Sequence, residues 1–294
     1  MVWGKYLGLG FVAVALVALD QARPAYAIDE IQVYNAEINE IGRWSIEQHL
    51  NYTLNGHRQP DFPGGFPSHH ALNGTPELAY GMTDWWEIGF YAPFAVSNHQ
   101  FLSNAAKIRS LFVVPNADKR NFFYGLNIEF SYQTPPFSQT RYAFEFRPII
   151  GWRNKEWEFI VNPIVDVSIG ALGEADLAPA ARLARNLGND RFIGLEYYSD
   201  LGKIGNFLPL SEQSHQLFAV SDFKLGELEF NVGIGYGLTS GSDRLVTKAI
   251  IGYEFPVPGA SRETTGGGLK PLPTARSVAW SSRPPVPDAI AAMR

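Results

Sequence analysis

Eleven carboxylates recur at every second position within segments whose intervening residues are apolar: Glu47, Glu77, Glu87, Glu129, Glu145, Glu158, Asp166, Glu196, Asp222, Glu229 and Glu254. Lys107, Arg109, Arg147, Arg182 and Lys248 share their phase. Charges gathered on one face of successive strands either ring an aqueous passage and select the ions in it, or pair across strands and fill it. The acid excess favours cations in the first case. The second is a structural ion-pair network, and the sequence leaves both open. Tyr91 and Tyr198 fall in the same phase and offer ring faces to aromatic solutes, or simply fill space. Arg182 and Glu196 flank Gly188-Asn189-Asp190, and a three-residue turn there sets them opposite each other, where they should touch.

Other chemistries find less support. With no cysteine, disulfides, thiolate metal sites and cysteine nucleophiles are excluded. His57, His69 and His70 lie near Asp61 in a loop, but their spacing matches no zinc pattern, and no metal or other cofactor is expected. Ser45 with His49, and His215 with Ser211 and Ser214, are the serine–histidine candidates for a lipid hydrolase or acyltransferase. Neither has an evident orienting partner, and His49 falls on the charged face. The chain does not read as an enzyme.

The elements that must position these residues are strands. In Ala79 to Val96, Trp86, Ile88, Phe90, Ala92 and Phe94 share one face, and Glu87, Gly89, Tyr91 and Pro93 the other. A period of two with one apolar face is a strand between two media. The pattern recurs and predicts twelve strands, at 43–54, 74–82, 85–96, 105–114, 121–133, 139–152, 155–169, 176–187, 191–201, 214–223, 226–238 and 243–255. Short connections (Thr83-Asp84, Pro115 to Arg120, Arg153-Asn154, Gly188 to Asp190, Lys224-Leu225) alternate with longer ones (Asn55 to Asn73, Ser97 to Asn104, Gln133 to Gln139, Gly170 to Ala175, Gly202 to Gln213). Such sorting is the mark of an all-β, closed antiparallel transmembrane barrel of about 12 strands, with short periplasmic turns and longer extracellular loops. The proposed outward face is rich in aromatics, such as Tyr142, Phe144, Phe146, Trp152, Trp157 and Phe159, too many to leave in water. Pro76, Pro93, Pro148, Pro163 and Pro179 sit inside these strands and must be accommodated by bulges or rims, because proline cannot donate to a ladder.

The ends differ from the middle. Residues 1–27 read as a signal peptide: Lys5, an apolar run from Leu7 to Leu19, and Ala25-Tyr26-Ala27 as the cleavage site. Residues 28–42 are a weakly alternating lead-in or short strand, 43–255 the barrel, and 256–294 a Pro/Gly-rich tail expected to be disordered. The tail carries +3 and residues 28–255 carry −9, which argues against nucleic acid as a partner.

Tyr80-Gly81-Met82-Thr83-Asp84-Trp85-Trp86-Glu87, Phe144-Glu145-Phe146-Arg147-Pro148 and Gly194-Leu195-Glu196-Tyr197-Tyr198 resemble segments of the outer-membrane barrel family named for a meta-pathway of phenol degradation. The resemblance spans roughly residues 43–255. It implies an outer-membrane channel or transporter for small organic compounds, and brings no catalytic residues. The last strand ends on Phe255, like the signal read by the barrel assembly machinery. The expected setting is therefore the bacterial outer membrane, with its lipid, the assembly machinery and small solutes as partners. The expected function is passive passage of small solutes through a polar, acidic lumen. The alternative is a non-conducting structural or partner-binding barrel.

Overall fold

The computed structural model describes residues 30–104 and 106–255. The signal-peptide and tail segments read from the sequence lie outside the described residues. Sixteen strand segments form one sheet: β1 (Trp44–Asn55), β2 (Leu72–Gly81), β3 (Trp86–Tyr91), β4 (Phe94–Ser97), β5 (Gln100–Ser103), β6 (Ala106–Val113), β7 (Phe122–Tyr132), β8 (Tyr142–Arg153), β9 (Trp157–Asn162), β10 (Val165–Ile169), β11 (Ala175–Leu177), β12 (Ala180–Gly188), β13 (Arg191–Asp200), β14 (Ser214–Leu225), β15 (Leu228–Gly237) and β16 (Leu245–Glu254). Four pairs, β3/β4, β5/β6, β9/β10 and β11/β12, are each one stave with a local interruption, so the staves number twelve. Every neighbouring pair is antiparallel, and β1 pairs with both β2 and β16, which closes the barrel.

The interruptions are where the prolines went. Pro76 accepts from Ala92 N across the break between β3 and β4, and Pro93 accepts from Asn104 N across the break between β5 and β6. On the other side of the barrel, the pairs Ile150↔Val161 and Phe146↔Val165 set Pro148 opposite Pro163. The pairs Ala180↔Asn162 and Val165↔Leu177 in turn set Pro163 opposite Pro179. Residues that cannot donate thus face one another, and few carbonyls lose a partner for each proline accommodated.

Three connections differ from the sequence expectation. The last short turn is Gly226-Glu227, with Leu225 paired to Leu228, rather than Lys224-Leu225; Gly226 takes φ 64°, as a two-residue hairpin requires. The expected loop Ser97 to Asn104 is mostly the hairpin β4–β5, turning at Asn98 and His99, both at positive φ. The turn after β12 is Asn189-Asp190, two residues at positive φ, and a bulge between Asn186 and Gly188 absorbs the third. That bulge restores the register, and Arg182 does pair with Glu196.

The outward faces are apolar and exposed, Tyr124 at 55% and Phe159 at 48% among them. Aromatic pairs gather toward the short-turn rim: Trp44 lies 4.6 Å from Tyr80, and Trp85 and Trp86 stack on Phe112. An apolar belt edged by aromatic rings is what a bilayer stabilises.

Candidate functional site

The lumen is not an empty tube. Residues 30–42 run through it in an extended conformation from the short-turn rim, where Gly42 N donates to Gly81 O (2.8 Å), to mid-height. The barrel wall holds this segment by its backbone. Asn39 N donates to Glu87 Oε2 (2.6 Å), and Arg153 Nη2 to Asn35 O (3.0 Å). Asn162 brackets Tyr34, accepting from its N–H (2.8 Å) and donating to its carbonyl (3.1 Å). Arg147 reaches Gln32 O (3.2 Å), and Lys248 reaches Ile31 O (3.0 Å). An extended strand with no sheet partner must find its hydrogen bonds elsewhere, and here lumen side chains supply them.

Its apolar side chains also have partners. Val33, Tyr34 and Ala36 pack into a cluster with Leu111, Phe123, Ile149 and Ile160, and Ile31 packs with Phe218, Val220 and Val246. These inward-facing wall residues correct the expectation of a uniformly polar lumen. They are apolar because they face the segment rather than water.

Every lumen candidate named from the sequence points inward, and three networks bring most of them together. In the first, Arg109 donates from Nε to Glu77 Oε1 (2.7 Å) and from Nη2 to Glu87 Oε1 (2.6 Å). Tyr91 joins it through the Tyr34 hydroxyl (2.8 Å), and Glu47 lies beside Glu77 across β1 and β2. In the second, Arg182 is shared by Glu158 (3.2 Å), Glu196 (2.5 Å) and Asp222, and Glu196 also takes Lys248 and the Tyr198 hydroxyl (2.6 Å). In the third, Arg147 grips Glu145 with two bonds (2.6 and 3.0 Å) and lies 4.5 Å over the Tyr34 ring. Tyr34 OH also reaches Glu129 (3.5 Å), which accepts from Asn127 (2.7 Å). Asp166 stands opposite Glu145 and Asp176.

Above the segment lies a cavity of about 230 Å³. Glu30, Ile31 and Gln32 border it from the segment, Lys107, Glu145, Arg147, Asp166 and Tyr198 from the wall, and Phe62, Phe66 and Phe137 from the loops. Four of the sequence candidates, Glu145, Arg147, Asp166 and Tyr198, therefore share one space. Glu87, Tyr91 and Arg109 instead meet the segment and its partners below. The residues that sequence reasoning missed are those of the segment itself, chiefly Tyr34, Asn35 and Glu37, and the wall residues Arg153 and Asn162 that hold it. Arg153 had been assigned to a turn. The only signal for the segment was its weak alternation at Ile31 and Val33.

In the loop over the long-loop rim, His57 Nδ1 lies 3.1 Å from Asp61 and His57 Nε2 3.2 Å from Ser240 O. The Asp61 hydrogen bond raises the His57 pKa above its ordinary value, against partial desolvation. Neither serine–histidine candidate forms a catalytic couple. Ser45 accepts from Asn39, and the ring nitrogens of His215 meet Tyr197 (2.5 Å) and Gln213 (2.9 Å).

No protein-family model matches the chain, and no curated protein matches its sequence. Among solved structures it is similar to an outer-membrane channel from Pseudomonas putida F1, at 10% identity over 77% of this chain and 100% of that one, with a TM-score of 0.54. It also aligns with the NanC porin at 8% identity, 73% and 100% coverage and a TM-score of 0.48. For the translocator domain of the autotransporter NalP from Neisseria meningitidis the values are 12%, 76%, 91% and 0.41. At such identities the likeness is one of fold. Together with the register, it makes this chain a closed, antiparallel, twelve-stranded barrel of the outer-membrane type, with a charged lumen filled in part by its own residues 30–42.

Proposed function

We propose that the chain is a channel of the bacterial outer membrane for small solutes, closed at rest by residues 30–42 and opened when that segment withdraws. The observation that carries this reading is the way the lumen is filled. A single extended segment, joined to the barrel at one rim, occupies it, and most of its backbone bonds go to side chains that water can replace. Withdrawal along the barrel axis breaks no strand pairing. The cavity above the segment supports a cation preference, because its lining has seven acids (Glu30, Asp61, Glu145, Asp166, Asp200, Glu212 and Asp243) against Lys107 and Arg147. Tyr198, Phe62, Phe66 and Phe137 offer apolar ring surface there. This agrees with small aromatic or other organic solutes, which the resemblance to the phenol-degradation barrels suggests. Outer-membrane lipid and the barrel assembly machinery are the remaining partners in this reading.

The test is the reversal potential in a salt gradient, for the protein and for Asp166→Asn and Glu145→Gln. A cation preference that weakens in both variants supports selection by lumen acids. Equal permeability to both ions in all three proteins refutes it. A second reading, a barrel permanently filled and serving only as structure, is favoured by the apolar packing of Ile31, Val33 and Tyr34. Absence of any conductance, in the protein and in variants with a loosened segment, would establish that reading instead.

A further inference from the structure

Near the short-turn end of the lumen, the β1–β2 register makes an arrangement that ion pairing within the protein does not complete. Alternation puts Glu47 and His49 on the same inward face of β1, and Glu77 of β2 stands directly opposite Glu47. All three are buried, at 4%, 0% and 4% exposure. Two carboxylates directly opposed across a ladder repel each other, the more so out of water. Some cation must lie between them to make the pairing favourable. Arg109 serves only one side of this need: its Nε binds Glu77 Oε1, leaving Glu77 Oε2 turned toward His49.

His49 Nε2 stands 3.5 Å from Glu47 Oε2 and 3.5 Å from Glu77 Oε2, and no hydrogen bond reaches either ring nitrogen or Glu47 Oε2. Buried polar atoms of this kind rarely go without a partner. The spacing itself suggests the partner. Donor atoms placed about 2.1 Å from a tetrahedral ion stand about 3.4 Å from each other, and the donor atoms of these three residues all lie within 4.8 Å of one another. We propose that Glu47, His49 and Glu77 form a binding site for a divalent transition-metal ion of the zinc type, with a fourth position left for water.

The chemistry of the donors selects the class. One imidazole and two carboxylates suit zinc and its neighbours, whereas calcium needs six to eight oxygens and copper(I) needs sulfur. The charge also fits. Glu47, Glu77 and Glu87 against Arg109 leave two negative charges beside a neutral imidazole, which a divalent ion balances. Arg109 acts as an outer partner, fixing the orientation of Glu77 through the oxygen that does not face the site. The ion would clamp β1 to β2 beside the point where Asn39 of the lumen segment binds Glu87.

The experiment is zinc binding by the untagged, detergent-folded protein after chelator treatment, followed by calorimetry with zinc chloride and by metal analysis of the folded band. The expected result is one zinc per chain. In His49→Gln and in Glu47→Gln the affinity should fall by more than the roughly 100-fold that loss of an outer partner costs. A triple variant of the loop histidines, His57→Ala, His69→Ala and His70→Ala, should bind as the parent does. Heat-modifiable migration confirms that each variant is folded, and cobalt substituted for zinc should give the visible spectrum of a four-coordinate site in the parent and in the loop variant. Folded parent protein that binds no zinc overturns the proposal and leaves protonated His49 as the cation between the acids. Binding that survives in both lumen variants, or that is lost in the loop variant, overturns it equally.

Discussion

Replacing Arg153 with glutamine should loosen the lumen segment without touching the segment itself. Arg153 donates to the Glu37 carboxylate (3.0 Å) and to Asn35 O (3.0 Å), and its guanidinium lies 4.0 Å over the Phe123 ring. Removing one partner of a buried, hydrogen-bonded pair costs about 3–5 kcal/mol, largely because the other charge is left in a dry site. Withdrawal into a wet lumen relieves that cost, so the docked state alone is destabilised. At about 1.4 kcal/mol per factor of ten, the withdrawn population should rise roughly a hundred- to a thousandfold. Burial of Ile31, Val33 and Tyr34 still favours docking by about 1.5–3 kcal/mol for each side chain, so the variant remains mostly closed. The absence of cysteine provides a clean assay. Val33→Cys places one thiol in the buried cluster, and its labelling by a membrane-impermeant reagent reports withdrawal. Labelling should be slow in that background and faster by two to three orders of magnitude once Arg153→Gln is added. Equal rates in the two proteins, with both folded, would refute the assignment of Arg153 as a tether.

Other expectations follow from the same contacts. Arg182→Met leaves Glu158, Glu196 and Asp222 without their shared cation; it should lower stability by about 3–5 kcal/mol, read as an earlier urea midpoint in folded liposome samples, and an unchanged midpoint would contradict the network. A Cβ on Gly151 would lie 2.0 Å from the Phe123 ring. Gly151→Ala should therefore displace that ring from beneath Arg153 and speed Val33→Cys labelling, whereas unchanged labelling would mean the ring has room to move. His57 has a raised pKa in the folded loop, so its tie to Asp61 is fully present below the unfolded value of about 6.5 and is lost as pH rises through the folded value. Protease cleavage between residues 56 and 70 should accordingly quicken from pH of about 6 to pH of about 8, and the pH effect should vanish in His57→Gln; persistence there would assign it to another group.

Much of the wall was legible because a period of two leaves little freedom. Once Glu87, Glu129 and Glu145 are on one face, a register slip of a single residue would bury them in lipid, and the structure keeps all three inside. The Arg182–Glu196 contact was legible too, although the turn was one residue shorter than expected and a bulge made up the difference. Interruptions at proline blurred the strand ends, since pairing continues on either side of Pro93, Pro163 and Pro179 while the ladder itself pauses. The contents of the lumen were the least legible part. Residues 30–42 form no regular element, and their stability comes from Arg147, Arg153, Asn162 and Lys248, all more than a hundred positions away in the chain. Local periodicity carries no trace of such partners. The Glu47–His49–Glu77 group was hidden for the same reason: two of its members are visible as a spaced pair, and the third arrives only with the β1–β2 register.

The most direct measurement of closure is single-channel current across a planar bilayer, comparing the protein carrying its lumen segment with a folded variant lacking residues 30–41. The account predicts a parent that is silent or opens rarely, and a variant that conducts in steady steps with cation preference. A folded variant that stays silent, or a parent that conducts as well as the variant, would contradict closure by this segment.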